Sequence, residues 1–159
     1  MRVAIVGTRE PGIEFTVLCA LFAARIDPEA VVTSGNAVGT DQVSKLWRKN
    51  IQYLPWSDYN QELGFGYKHC VAGGIKIFDG EILKLFPWIQ GRTDGLWHLI
   101  RRNCCIILGK DGTNPVDAVY YYANEKKRIV EGGTRYAVEL ARSRGIPTYN
   151  LKQGVVKNE

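Results

Sequence analysis

The chain has 159 residues, of which 45% are hydrophobic, and these values predict one domain, residues 1–159, with a buried core. The formal net charge is +5, and the excess lies in residues 91–159, which hold twelve basic and seven acidic side chains, so an anionic partner is favoured. No apolar run approaches the about 20 residues that span a bilayer, and the first residues predict a strand rather than a secretory signal, so we expect a soluble, cytoplasmic protein with no membrane partner.

Strands and helices alternate in the first third of the chain. Arg2–Val6 is a short apolar run that ends at Gly7, which is typical of a strand buried on both faces of a parallel sheet. A polar turn later in this region offers Thr40 or Asp41 as the cap of a helix. The predicted elements are a strand over 2–6, a helix from Phe15 that ends by Asp27-Pro28, a strand over 30–33, a helix with Val43, Leu46 and Trp47 on one face, and a strand over 51–55. This order predicts a doubly wound α/β sheet.

Residues 56–92 interrupt the alternation, because the segment is too long for an ordinary loop. It is rich in glycine and in aromatic residues, and its charges nearly cancel. We interpret it as an insertion after the third strand that packs over one end of the sheet within the same domain. It is expected to hold one or two short helices, one of them at Gly80–Phe86.

The remaining residues return to helices and strands. Thr93–Leu108 fits a helix, although its last five residues alone also fit a buried strand. We favour the helix, with Gly109 after its end, because Val116–Tyr122 is a better fourth core strand. The later elements are a polar hairpin or loop over 124–129, a helix from 132 to 145 and a strand over 146–151. The predicted fold is therefore Rossmann-like, with a mainly parallel sheet of about five strands flanked by helices.

Three glycine-bearing turns follow predicted strands. They are Gly7–Arg9, Ser34–Asp41 and Gly132–Arg135. Ligands of open parallel sheets bind at the carboxyl ends of the strands, where glycine lets the backbone approach a phosphate and arginine donates to its oxygens. Each turn alone has a steric explanation, whereas the three together favour an anionic, nucleotide-like ligand. The phosphate loop of kinases and GTPases and the Gly-x-Gly-x-x-Gly motif of dehydrogenases are both absent from the sequence.

An ordered set of motifs extends over most of the chain outside the insertion. The motifs are Ile5-Val6-Gly7-Thr8-Arg9, Thr33-Ser34-Gly35-Asn36-Ala37-Val38-Gly39-Thr40-Asp41, Arg102-Asn103, Gly132-Gly133-Thr134 and Gly145-Ile146-Pro147. This set resembles the SLOG superfamily of Rossmann-like nucleotide-binding domains. The superfamily includes the DNA-processing protein A family, the Lonely Guy phosphoribohydrolases and small bacterial and phage proteins. The chain resembles the small proteins most closely, since it shares their Leu54-Pro55-Trp56 and Ile146-Pro147-Thr148-Tyr149-Asn150-Leu151 segments.

The resemblance implies that the three turns bind a nucleotide and that Arg102 and Asn103 reach the same pocket from the preceding helix. The residues assigned to nucleotide binding are Gly7, Thr8, Arg9, Ser34, Gly35, Asn36, Gly39, Thr40, Asp41, Arg102, Asn103, Gly132, Gly133, Thr134 and Arg135. Asp41 would face the ribose, with a helix-capping role as the alternative; for Arg102 and Asn103 the alternative is a place on the helix surface. The insertion would act as a lid or a self-association surface, and a homo-oligomer is implied.

The function we favour is a domain that binds or senses a nucleotide or a nucleotide-derived metabolite, because it requires only the turns and the arginines. No cofactor is predicted. No metal site is predicted either, because the chain has two histidines and its four cysteines lack Cys-x-x-Cys spacing. The cysteines are expected to be reduced thiols, mostly buried.

A second function is cleavage of the N-glycosidic bond of a nucleoside 5′-monophosphate, as the resemblance to Lonely Guy proteins implies. Such cleavage develops positive charge on the ribose and needs a nearby carboxylate. The family motif is Pro-Gly-Gly-x-Gly-Thr-x-x-Glu, and Ala137 stands here at the position of its glutamate. The catalytic candidates are therefore Glu131 and Asp41, with Arg102 beside them.

A third function is binding of single-stranded DNA, as in the DNA-processing protein A family. Aromatic side chains could stack on bases, and basic side chains could contact phosphates. The basic candidates are Arg101, Arg102, Lys126, Lys127, Arg128, Arg135, Arg142 and Arg144. The alternative is that most of these charges belong to ordinary solvated surfaces.

Overall fold

The apolar run at the start of the chain forms most of the central strand of a parallel sheet. The computed structural model describes residues 1–153. Its strands are β1 (Arg2–Gly7), β2 (Val31–Ser34), β3 (Lys49–Leu54), β4 (Lys68–Val71), β5 (Ala118–Tyr122), β6 (Glu125–Lys126), β7 (Ile129–Val130) and β8 (Thr148–Asn150). Six of them form one sheet in the order β4-β3-β2-β1-β5-β8, with every neighbouring pair parallel. The predicted Rossmann-like α/β fold is therefore confirmed.

Helices cover both faces of this sheet. The α-helices are α1 (Phe15–Ala23), α2 (Asp79–Leu85), α3 (Asp94–Leu108) and α4 (Thr134–Ser143), and 3₁₀ helices occupy Thr40–Leu46, Gln61–Leu63 and Pro87–Ile89. Successive side chains of a strand point to opposite faces, so Ala4 and Val6 pack in one core with α2, α3 and α4. Val3 and Ile5 pack in the other core with α1 and the Thr40–Leu46 helix.

The order of the strands creates a crevice in the middle of the sheet. From β1 the chain moves outward through β2, β3 and β4, then returns to the other side of β1 as β5 and continues to β8. The connections that leave β1 and β5 therefore diverge to opposite sides. Such a switch point is where doubly wound sheets bind their ligands, outside the carboxyl ends of the two strands.

The segment 56–92 differs from the predicted insertion because it contributes a strand of the sheet. β4 pairs in parallel with β3, which gives the sheet six strands, one more than expected. Lys68–Val71 lies at the edge and is largely exposed, so it lacks the apolar run by which buried strands are recognised. The short helix predicted at Gly80–Phe86 is present as α2, shifted by one residue.

The helix predicted after β2 is a 3₁₀ helix. At the two ends of Thr40–Leu46 the backbone bonds join residues three apart, since the Gln42 N–H donates to the Gly39 carbonyl at 3.0 Å and the Trp47 N–H to the Ser44 carbonyl at 3.2 Å. The helix predicted over 93–108 is α3, capped by the Thr93 hydroxyl and ended by Gly109 with φ 79°. The polar segment 124–129 lies in the antiparallel hairpin β6–β7. The last strand is shorter than predicted and comprises only Thr148–Asn150.

Among residues 1–153, no helix is long and apolar enough to cross a membrane.

Cys19, Cys70, Cys104 and Cys105 are all free thiols. Cys104 and Cys105 are buried between α3 and the sheet, and burial raises the pKa of the Cys105 thiol to about 12. These two cysteines therefore behave as small apolar core residues.

Candidate functional site

A cavity of about 490 Å³ lies at the switch point, outside the carboxyl ends of β1 and β5. Its walls are the loops that follow these strands, the segment 96–103 of α3 and the first turn of α4. Ten of the sixteen residues predicted from the sequence line it: Gly7, Thr8, Arg9, Asp41, Arg102, Asn103, Glu131, Gly132, Gly133 and Thr134. Residues from three separate turns and one helix thus meet around a single cavity.

The first turn of α4 presents free donors to this cavity. Gly132 has φ 72°, and the N–H groups of Arg135 and Tyr136 donate to the carbonyls of Gly132 and Gly133 at 3.2 Å. Within residues 1–153, the N–H groups of Gly132, Gly133 and Thr134 have no hydrogen-bond acceptor. Donors of this kind at a helix N-terminus, reinforced by the helix dipole, are suited to an anionic group such as a phosphate.

Asn103 fixes the position of this turn. Its side-chain amide donates to the carbonyl of Gly133 at 3.2 Å, and its side-chain oxygen accepts from Nε of Arg102 at 2.9 Å. The carbonyl of Gly133 is therefore held toward α3 by a buried side chain.

Arg102 connects α3 to the loop after β2. It is 5% exposed, it donates to the carbonyl of Gly35, and its guanidinium lies 5.2 Å from the centroid of the Tyr59 ring. A Cβ atom on Gly35 would lie 2.6 Å from this guanidinium, so the loop backbone can approach Arg102 only because position 35 is glycine. Arg102 is a buried residue and not a helix-surface residue.

Asp41 is a buried carboxylate on the same side of the cavity. One of its oxygens accepts from the N–H groups of Gly35 at 3.2 Å and of Ala37 at 3.3 Å. Burial raises the pKa of Asp41 above its usual range, while the charge of Arg102 and the N–H donors oppose that shift. The carboxylate therefore fixes the backbone of the loop after β2, and the Gly35 carbonyl of this loop accepts from Arg102.

Gly7, Gly39 and Thr40 join the loops after β1 and β2. The carbonyl of Thr8 accepts from the N–H and the hydroxyl of Thr40, at 3.2 and 3.0 Å. A Cβ atom on Gly7 would lie 2.6 Å from the Thr40 methyl group, and one on Gly39, which has φ 87°, would lie 2.5 Å from the Arg9 carbonyl. Glycine at these two positions is required for the loops to pack together.

Six of the predicted residues do not line the cavity: Ser34, Gly35, Asn36, Gly39, Thr40 and Arg135. The Ser34 hydroxyl donates to the Ile5 carbonyl at 2.6 Å and is fully buried. Asn36, at φ 56°, exchanges hydrogen bonds with Asn60 across the loop. Arg135 stacks on Trp88, with 4.8 Å from its guanidinium to the ring centroid. These side chains support the loops around the cavity.

Several lining residues were not predicted from the sequence. Lys152 donates to the Asn124 side-chain oxygen at 2.5 Å and brings a positive charge to the cavity. An apolar wall is formed by Leu96, Leu99 and Ile100 of α3 and by Tyr136 of α4. The helical spacing of the α3 residues predicts their shared face, whereas nothing in the sequence indicates that Lys152, beyond the last strand, returns to the site.

Glu131 provides a second carboxylate in the cavity. It is exposed, and the Asn124 amide donates to it at 3.2 Å. It lies directly before the free N–H groups of Gly132 and Gly133. The site thus contains one buried, fixed carboxylate and one accessible carboxylate beside the anion-binding turn.

Three of the arginines considered for DNA binding form ion pairs instead. Arg101 pairs with Asp79 at 2.9 Å, Arg142 with Glu125 at 2.8 Å and Arg144 with Glu81 at 2.7 Å. Lys126, Lys127 and Arg128 remain exposed on the β6–β7 hairpin.

Comparisons of the chain with protein-family models, with curated proteins and with solved structures found no match. The resemblance to the SLOG superfamily therefore stays a prediction that depends on the motifs alone.

Within residues 1–153, no three histidine, cysteine or acidic side chains are close enough together to hold a metal ion.

Proposed function

We propose that the protein binds a nucleotide or a nucleotide-derived phosphate compound in the crevice between β1 and β5, as a binding or sensing domain. The observation that carries this proposal is the set of unpaired N–H groups of Gly132, Gly133 and Thr134 at a cavity on the switch point of the sheet. A phosphate group would accept from these donors, with Arg9 and Lys152 as nearby cations.

The other walls of the cavity suit the rest of such a ligand. Leu96, Leu99 and Ile100 offer an apolar surface for a planar base, and Glu131 can accept hydrogen bonds from sugar hydroxyls. The volume of about 490 Å³ lies within the range of roughly 300–1,000 Å³ that is usual for small-molecule sites.

We include a cytoplasmic location in the proposal, since four free thiols suit a reducing compartment.

A thermal-shift screen tests the proposal. Nucleoside mono- and diphosphates and ADP-ribose-like compounds would be tested at matched concentrations. A ligand at about 100 times its Kd stabilises the fold by about 2.7 kcal/mol, which raises Tm by roughly 5–10 °C at this chain length. Thr134→Tyr, which fills the cavity, should abolish the shift, whereas Thr113→Tyr, at an exposed site outside the cavity, should retain it. No shift with any phosphate compound would contradict the proposal.

Hydrolysis of a nucleotide N-glycosidic bond is the second candidate, and the accessible Glu131 carboxylate beside the α4 turn favours it. Release of free base from nucleoside monophosphates would be the measurement. Glu131→Gln should abolish the release, and Asp41→Asn should reduce it. Glu139→Gln is the matched control, because Glu139 lies on α4 but does not line the cavity. Equal release by the Glu131→Gln variant and the unaltered protein would exclude Glu131 as the catalytic carboxylate.

A further inference from the structure

Three polar side chains at the rim of the cavity form one chain of hydrogen bonds. The ammonium group of Lys152 donates to the side-chain oxygen of Asn124 at 2.5 Å, and the side-chain amide of Asn124 donates to Glu131 at 3.2 Å. All three residues line the cavity. The amide group of Asn124 therefore lies between a cation and a carboxylate, with its oxygen toward the cation and its nitrogen toward the carboxylate.

The backbone around Asn124 is fixed by its own hydrogen bonds. The Asn124 carbonyl accepts from the N–H of Glu131 at 2.9 Å, at the base of the β6–β7 hairpin. The side-chain amide of Asn150 donates to the carbonyl of Ala123 at 2.8 Å and to the carboxylate of Glu125 at 3.1 Å. Asn124 is thus held at the rim of the cavity between two neighbours that both bind to β8.

Lys152 and Glu131 carry opposite charges but do not pair with each other. In the part of the chain that the structure describes, neither side chain takes part in an ion pair. Both bind instead to the two ends of the same amide group. Because the lysine has a flexible four-carbon stem, a short movement would bring its ammonium group onto the carboxylate if the amide were absent. A direct pair of this kind would leave neither charge free for a ligand.

We propose, on the basis of the phosphate site proposed at the first turn of α4, that Asn124 is a positioning residue that keeps Lys152 and Glu131 apart. The separated ammonium group then donates to a phosphate on that turn. The separated carboxylate accepts hydrogen bonds from hydroxyl groups of the same ligand. The class of ligand that uses both groups is a sugar phosphate, in which an anion and neighbouring hydroxyl groups belong to one molecule.

Titration of the full chain with inorganic phosphate, followed by the NMR signal of the Thr134 N–H, measures how available Lys152 is. Asn124→Ala should weaken phosphate binding about two- to fivefold, the factor that an exposed ion pair supplies, because Lys152 then pairs with Glu131. Asn114→Ala is the same change at an exposed position outside the cavity, and it should leave the dissociation constant unchanged. Unaltered phosphate binding by the Asn124→Ala variant would overturn the proposal.

Further substitutions separate a positioning role from a merely structural one. Glu131→Gln should tighten phosphate binding more in the Asn124→Ala background than in the unaltered chain, because only there does the carboxylate hold Lys152. Lys152→Met should weaken phosphate binding in the unaltered chain and have little further effect in the Asn124→Ala background. If each substitution has the same effect in both backgrounds, Asn124 does not keep the two charges apart.

Ribose 5-phosphate tests the class of ligand. It should bind more tightly than inorganic phosphate to the unaltered chain, and Glu131→Gln should remove this difference. Equal affinity for the two compounds in the unaltered chain would overturn the assignment of a sugar phosphate. A Thr134 signal that responds to neither compound would contradict the phosphate site itself, and the role of Asn124 with it.

Discussion

At the scale of single residues, the buried side chains of Asp41 and Arg102 hold the candidate site in shape through the backbone of Gly35. Gly35 donates its N–H to Asp41, and its carbonyl accepts from Arg102. Arg102 in turn holds Asn103, which fixes the carbonyl of Gly133. The loop after β2 and the first turn of α4 are therefore joined through two adjacent residues of α3.

Arg102→Ala should destabilise the protein, because it removes the donors to the Gly35 carbonyl and to the Asn103 side-chain oxygen, and also the positive charge that acts on the buried Asp41 carboxylate. The expected loss in the free energy of unfolding is about 1–3 kcal/mol, measured by urea denaturation at pH 7. In the double variant Arg102→Ala/Asp41→Asn part of this loss should be recovered, since no uncompensated charge remains. Strictly additive losses in the double variant would show that the two side chains are not coupled.

Two glycines near the cavity should respond differently to alanine. Gly39→Ala should cost about 1–3 kcal/mol of stability, because Gly39 has φ 87° and its Cβ would meet the Arg9 carbonyl. Gly133→Ala should leave the stability nearly unchanged, since Gly133 has φ −65° and open space around its Cβ position. Chemical denaturation of both variants checks this contrast, and equal losses would contradict the packing described for the two loops.

At the scale of elements, the β6–β7 hairpin is braced against the end of β5. Glu125 accepts hydrogen bonds from Tyr121 at 2.6 Å, from Arg142 at 2.8 Å and from Asn150 at 3.1 Å. Since the hairpin leads directly into Gly132, this network also sets the position of the anion-binding turn.

The stability of this brace should depend on pH. Burial alone would raise the pKa of Glu125, but its hydrogen bonds outweigh burial and hold the pKa below the usual range. The stabilisation is therefore complete above the unfolded pKa of about 4.3 and is lost as the pH falls through the lower folded value. Glu125→Gln should lower the free energy of unfolding at pH 7 by about 1–3 kcal/mol and flatten its dependence on pH below 5. Urea unfolding at several pH values measures both effects, and an unchanged pH profile would contradict this role.

Sequence patterns predicted elements well where burial imposes a pattern. β1 and β5 are apolar runs because both of their faces are covered. Helix α3 extends over Asp94–Leu108, within one residue of the predicted range, and Gly109 follows its end as predicted. β4 escaped prediction because an exposed edge strand has no such constraint. The turns of the site were predicted because glycines follow the predicted strands. The burial of the Ser34 side chain and the position of Lys152 beside the cavity depend on tertiary packing, which the sequence pattern does not show.

At the scale of the whole molecule, the reversal of strand order between β1 and β5 explains why the site lies where it does. It separates the helices that follow these strands and leaves the crevice in which the cavity of about 490 Å³ lies. The net charge of +5 contributes little to this argument, since Arg101, Arg142 and Arg144 are held by carboxylates. Of the cations that line the cavity, Arg102 is buried and donates to the Gly35 carbonyl, so Arg9 and Lys152 are the charges most relevant to a ligand.

The N–H signals of Gly132, Gly133 and Thr134 offer the most direct test of nucleotide binding. They would be followed by NMR on the ¹⁵N-labelled protein during titration with a nucleoside monophosphate, a nucleoside diphosphate and ADP-ribose, each beside the matching nucleoside without phosphate. At least one phosphate compound should shift all three signals saturably, and the nucleoside should have a much smaller effect. Unchanged signals with every phosphate compound, or changes confined to the exposed Lys126–Arg128 segment, would contradict a phosphate site at the first turn of α4.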